Sequence, residues 1–323
     1  MSIEEQFKAK VHELRSNDSK SALLTKDEYF ALIHEVKEAQ DAESKNRRQF
    51  YVLGRYQILQ CGVIAKLIKR RSEGSTDTLY FVHNDELFDI IKQVHISTGH
   101  GGRDKMQKVI FEKYANITRA VIELYKSLCL ECLKKRKRHA TKGVVVKPIL
   151  CSGHGSRAQV DLIDMQSIPN GKNKWILVYQ DHLTKFCILR AMSSKPACEV
   201  AYNLVDIFLL FGAPQILQSV NGSKFTASVI TELKELWPDL LIVHGKPRHP
   251  QSQGSVGRLN LDIKDMLISW LSDNNSSDWA VGLKFVQFMK NTSYHSGIKQ
   301  SPYSALFSLL IMSKRNFWQI RYQ

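Results

Sequence analysis

Four side chains at two short spacings constrain this chain more than any other feature of it. His95 and His100 stand five positions apart, and Cys129-Leu-Glu-Cys132 follows after 28 intervening residues. Two imidazoles and two thiolates make a closed tetrahedral shell, which suits a structural zinc ion when no position is kept open for water. A lone C-x-x-C carries little by itself, and histidines are common on surfaces; the paired spacing is what makes a metal site of them. Around and between the two pairs, apolar residues recur at intervals of three and four, predicting helices at Leu87–Val94, Asp104–Tyr114 and Thr118–Leu128. Zinc would then tie one helix end to another and stabilise a module whose own core is small.

The other four cysteines, Cys61, Cys151, Cys187 and Cys198, are too sparse for a disulfide framework. With 323 residues and 43% of them hydrophobic, the chain is expected to form two or three compact units, which excludes a wholly disordered or fibrous chain. Lysine and arginine number 46 against 31 aspartates and glutamates, a formal charge of +15 that favours a polyanionic partner, nucleic acid before membrane. No apolar run reaches the roughly 18–20 residues that span a bilayer, and MSIEEQFKAK lacks the order of a secretory signal. A soluble, intracellular protein with no membrane partner is the expectation.

Residues 1–72 read as a helical N-terminal region, from spacings such as Tyr29, Leu32, Ile33 and Val36 and the absence of proline. Nothing in them names a chemistry. Residues 73–133 form the His/Cys module. A basic linker follows at 134–155, opening on Lys134, Lys135, Arg136, Lys137 and Arg138. That run has three readings: a phosphate-contacting connector, a nuclear import signal, or a soluble helix end.

From 156 to 307 the pattern changes. Short strand-like runs at Ala158–Ile163, Lys174–Gln180 and Phe186–Ala191 predict an antiparallel meander. A helix is expected at Ala197–Phe211, a strand at Gln215–Gln218, a helix at Phe225–Trp237 and a strand at Leu240–His244. Two long amphipathic helices, Val256–Leu271 and Trp279–Tyr294, follow, and the glycine- and proline-bearing 244–254 reads as a flexible loop before the first. Strands first, then alternating helix and strand, argue for an α/β fold with a mixed sheet and flanking helices.

The order of a His/His/Cys/Cys module, a basic connector and the segments GSRAQVDLIDM, KWILVYQDHLTKF, FGAPQILQSVNGSKF and HGKPRHPQSQGSVGRLN resembles the integrases of retroviruses and gypsy-type retrotransposons. The likeness runs from about Leu87 to Phe307 and is strongest to host-encoded, transposon-derived integrase-like proteins. It implies a ribonuclease H-like core. It also implies DNA as partner, self-association through core helices, and a nuclear location. In the family, three carboxylates hold two divalent cations that drive phosphodiester transfer. The first acidic position falls on Asp161. The second and third fall on Val220 and Gly257, 37 positions apart in an intact frame, and neither is acidic.

Other acids do not replace them. Asp164 points to the opposite face of its strand from Asp161, Asp181 ends a different strand, and Asp262 and Asp265 lie roughly 140° and 80° around the helix from Gly257. A single carboxylate binds magnesium weakly. The expectation is therefore a catalytically defective protein, with magnesium needed only if it is active. The resemblance places Lys264 at a DNA-end contact and Lys246, Arg248 and His249 beside target DNA, although a solvated helix lysine and an ordinary loop are the plainer readings. Two other functions remain open: an active polynucleotidyl transferase using Asp161 with substitute ligands, and a protein-interaction scaffold. Neutral decay of the gene copy would also leave Val220 and Gly257. The tail 308–323 diverges from the family and is too short for another β-rich domain.

Overall fold

Capping boxes start two of the N-terminal helices. Thr25 accepts from the Glu28 amide and Asn46 from the Gln49 amide, while the Glu28 and Gln49 side chains reach back to the cap amides. A computed structural model describes residues 2–16, 22–62, 64–71, 78–135, 153, 155–194, 197–219, 233–244 and 250–308. The chain divides into two compact units, Met1–Arg138 and His139–Gln323.

The first unit contains α1 (Ile3–Ser16), α2 (Lys26–Asp41), α3 (Arg47–Arg55), β1 (Tyr56–Cys61), β2 (Ile64–Lys69), α4 (Asn84–Ser97), α5 (Arg103–Phe111), α6 (Arg119–Leu128) and α7 (Leu130–Lys135). The expected helices of the N-terminal region stop at Arg55. β1 and β2 pair as an antiparallel hairpin instead, because Gly62 takes a φ of +62°, where glycine is unstrained, and turns the chain back on itself. Phe7 and Val11 of α1 pack with Leu87, Ile91, Met106, Ile110 and Ile122, and a second core gathers Tyr29, Ile33, Val36, Val52 and Leu67.

The second unit contains β3 (Arg157–Asp164), β4 (Trp175–Asp181), β5 (Cys187–Met192), α8 (Ala197–Phe211), β6 (Ile216–Ser219), β7 (Leu241–His244), α9 (Pro250–Asp273), α10 (Trp279–Thr292) and α11 (Pro302–Phe307). The sheet order is β5-β4-β3-β6-β7. The meander pairs antiparallel as expected, while β6 and β7 add in parallel beside β3. This mixed sheet between helices is the ribonuclease H-like architecture. Side chains alternate across it. Ala158, Val160, Leu177 and Leu217 pack with Leu204, Ile207 and Phe208 of α8, and Ile163, Ile176 and Val178 pack with Leu259, Ile263, Leu283 and Val286 of α9 and α10.

The expected loop at 244–254 is shorter than its composition implied, since α9 already begins at Pro250. Proline has no N–H to leave unpaired in a first turn and its φ is preset for a helix. Most of the expected helix Phe225–Trp237 lies outside the described residues, which show only a helical turn at 233–236. Among the described residues, no helix is long and apolar enough to cross a membrane.

Candidate metal centre and core site

His95 lies in the last turn of α4 and is 1% exposed. Beyond it the helix closes on Gly99 (φ +64°), whose amide donates to the Ile96 carbonyl, and His100 (φ +54°) donates its amide to the His95 carbonyl. Two successive left-handed residues swing the His100 ring back against His95, with centroids 4.5 Å apart. Cys129 follows α6 and Cys132 lies one turn on in α7, so the cysteine pair closes over the histidines. Cys129 Sγ is 3.4 Å from His100 Nδ1, and Cys132 Sγ is 3.3 Å from His95 Nε2. All four donor atoms fall within 4.8 Å of one another, a set that could hold a metal ion. The Cys129 thiol is held far below its usual range, first by hydrogen bonding from Cys132, against burial, and then by His100 and His95. The second ring nitrogen of His95, Nδ1, lies 3.2 Å from Met106 Sδ, which fixes the ring from behind. The sequence expectation for these four residues thus meets a convergent geometry.

Asp161 lies mid-strand in β3 and is 8% exposed. Its Oδ1 accepts from the Leu162 amide at 2.9 Å, and its Oδ2 accepts from Asn260 Nδ2 at 2.7 Å. Asn260 stands on α9, three positions past Gly257 and so about one turn along. Asn260 is not singled out by the sequence, and its contact with Asp161 spans 99 positions. Beside the carboxylate, Gln180, Gln159 and Gln218 sit in register across β4, β3 and β6, all buried, with Gln159 Nε2 donating to Gln218 Oε1 at 3.3 Å and Arg157 Nη1 to the same oxygen at 3.0 Å.

β6 ends at Ser219, paired with Val160, and Val220 lies outside the described residues. Gly257 is exposed on α9, as is Lys264 two turns on. Of the other acids, Asp181 accepts from the Thr184 amide and hydroxyl, both at 2.7 Å, Asp164 accepts from the Gln166 amide, and Asp262 pairs with the buried Lys290 at 2.5 Å. Each serves its own turn or helix contact. Among the described residues, the His95/His100/Cys129/Cys132 set is the only group of three or more such donors close enough to share a metal. Lys134 lies on α7 and pairs with Glu131 at 2.8 Å, and Lys135 ends that helix. Arg136, Lys137, Arg138, Lys246, Arg248 and His249 lie outside the described residues.

No protein-family model matches the chain. It is 41% identical over 307 residues to the human KRAB-A domain-containing protein 2, covering 94% of this chain and 62% of that protein. It is 26% identical over 222 residues to the Pro-Pol polyprotein of simian foamy virus type 3, covering 68% of this chain and 19% of the polyprotein. The chain therefore spans less than two thirds of the length of these relatives. Among solved structures, a chain of the simian T-cell lymphotropic virus intasome bound to the PP2A regulatory subunit B56 gamma aligns with a TM-score of 0.48 at 15% identity, over 69% of this chain and 74% of that one. The resemblance carried by the motifs is thus met by sequence relatives of both kinds, host-encoded and retroviral, and the chain has a transposon-type integrase ancestry.

Proposed function

We propose that this chain is an integrase-derived, nucleic-acid-binding protein of the nucleus that has lost the polynucleotidyl transfer of its ancestors. The observation that carries this reading is the state of Asp161. Two-cation phosphoryl transfer needs several anionic oxygens around one pocket, because hard cations select such ligands and bind weakly to one carboxylate. Asp161 instead spends Oδ2 on the Asn260 amide, while Val220 and Gly257 occupy the other two acidic positions. DNA contact needs none of those carboxylates. Lys264 on the exposed face of α9, the run Lys134–Arg138, and Lys246 and Arg248 would meet phosphates, and the +15 charge favours them.

The metal at His95, His100, Cys129 and Cys132 is zinc in this reading. Tetrahedral zinc, with bonds of about 2.3 Å to sulfur and about 2.0–2.1 Å to nitrogen, sets neighbouring donors about 3.5 Å apart. The cysteine–histidine distances of 3.3 and 3.4 Å match that edge. Such an ion would be structural, held by His95 and His100 at the end of α4 and by Cys129 and Cys132 at the start of α7.

The test is a strand-transfer and nicking assay on the purified full chain with magnesium and with manganese, beside salt-dependent DNA binding. Salt-sensitive binding without nicking or joining is expected, and a Val220→Asp/Gly257→Glu/Asn260→Ala variant should recover metal-dependent joining. Activity of the wild type that disappears in Asp161→Ala would overturn the reading in favour of an active enzyme. A second reading, a self-associating scaffold, is favoured by α8, where Tyr202, Leu209 and Leu210 are 76%, 75% and 66% exposed. Oligomers by light scattering in a protein without DNA affinity would select it.

A further inference from the structure

Between Glu43 and Glu73 the sequence carries eight lysines and arginines and no acidic residue. Six of these cations, Arg47, Arg48, Arg55, Lys69, Arg70 and Arg71, are exposed on α3 and on and just beyond β2. They are fastened into one surface. The Arg70 amide donates to the Arg55 carbonyl at 3.0 Å, its guanidinium donates to the Leu53 carbonyl at 3.1 Å, and Tyr56 pairs with Lys69 across the hairpin. Two aromatic rings stand among the charges: Phe50 is 63% and Tyr51 52% exposed. Arg48 pairs through two hydrogen bonds with Glu35, at 2.7 and 3.0 Å, and lies over the Tyr51 ring at 5.6 Å, while Arg55 donates to the Tyr51 hydroxyl at 3.0 Å, so the ring is held between guanidinium groups rather than folded into the core. The neighbouring Gly54 has open space where a side chain would be, leaving the helix backbone accessible there.

We infer that this face of α3 and the hairpin binds single-stranded nucleic acid, with Arg47, Arg55 and Lys69 on phosphates and Phe50 and Tyr51 stacked on unpaired bases. Arginine-rich surfaces with exposed planar rings suit a strand whose bases are free to stack. An anionic membrane fits less well, because a helix that lies in a bilayer surface needs a continuous apolar stripe. On α3 the aliphatic Val52 is fully buried in the core of its own unit. This inference stands on residues far in sequence from Asp161 and Lys264 and does not depend on the reading of the core.

The experiment is fluorescence anisotropy of the full chain with labelled oligothymidine, with a duplex of equal length, and with phosphatidylserine vesicles as competitor. Phe50→Ala should weaken oligothymidine binding at least about fivefold and duplex binding less than about twofold, as loss of one stacked base requires. Arg47→Ala/Arg55→Ala should reduce the slope of log K against log salt by about 1.4, at about 0.7 per single-strand phosphate. Unchanged melting and circular dichroism qualify each variant, and Arg47→Glu alone replaces the pair if that one unfolds. Wild-type affinity and slope in these variants would overturn the inference. So would a Phe50→Ala effect confined to vesicles, or loss of oligothymidine binding in Lys264→Glu alone, which would leave the core reading standing.

Discussion

A Cβ on Gly101 would fall 2.8 Å from Thr98 Oγ1, which already donates to the Val94 and His95 carbonyls. The turn that delivers His100 to His95 therefore has no room for a side chain, and one glycine protects a ligand one position away. Two cysteines of the core unit show the same dependence on surroundings. Cys187 is fully buried, and burial pushes its thiol up to about 12, whereas Cys198 is exposed. Thiolate is the reacting species. At about pH 8 an alkylating reagent is expected to label Cys198 in the native protein and to spare Cys187 until denaturant is added, as read by peptide mass spectrometry; prompt native labelling of Cys187 would refute the burial. The linkage has a definite sign. A thiol with a raised folded pKa contributes its stability below the unfolded value of 9.0 and loses it as pH climbs from there towards about 12, so the core should weaken in that alkaline window.

Helix α10 secures the core in two directions. It meets α9 at Gly282, where a Cβ would overlap the Trp270 ring, and Phe285 stacks on that indole at 5.3 Å and 15°. It also covers the edge strand β5: the Asn291 and Gln287 side chains accept from the Cys187 and Leu189 amides at 2.9 and 2.7 Å, and Asn291 donates back to the Cys187 carbonyl. An edge strand so capped offers fewer free groups to another chain. Gly282→Ala should push α10 off α9 and destabilise the core by about 1–3 kcal/mol, the usual cost of overpacking. A urea midpoint equal to that of the wild type would show the contact to be slack. α9 itself is two-sided, since one side buries Leu259 and Ile263 while the other exposes Gly257 and Lys264.

At the scale of the molecule the two units depend on different sources of stability. The sheet unit has two apolar cores, one on each face, whereas the first unit has its two apolar cores beside a metal-type cluster. A strong chelator is expected to lower the melting of the first unit and leave the second unmoved in calorimetry, and a single transition indifferent to chelation would contradict this. Much of this division was legible beforehand. The ligand spacing and the alternation of Ala158–Ile163 and Lys174–Gln180 are local facts, and periodicity reports local facts. The hairpin at Tyr56–Lys69 was missed because its apolar residues fit a helix as readily as a strand until Gly62 turns the chain. Asn260 on Asp161, Asn291 on Cys187 and Gln287 on Leu189 were beyond reach for a different reason: each pair is about a hundred positions apart, and no spacing encodes a contact made only when helices dock on a sheet. The sequence by itself determined which four donors could share a metal, because their spacing is local. Only tertiary packing decided what the Asp161 carboxylate does, because its hydrogen-bond partner Asn260 arrives from another element.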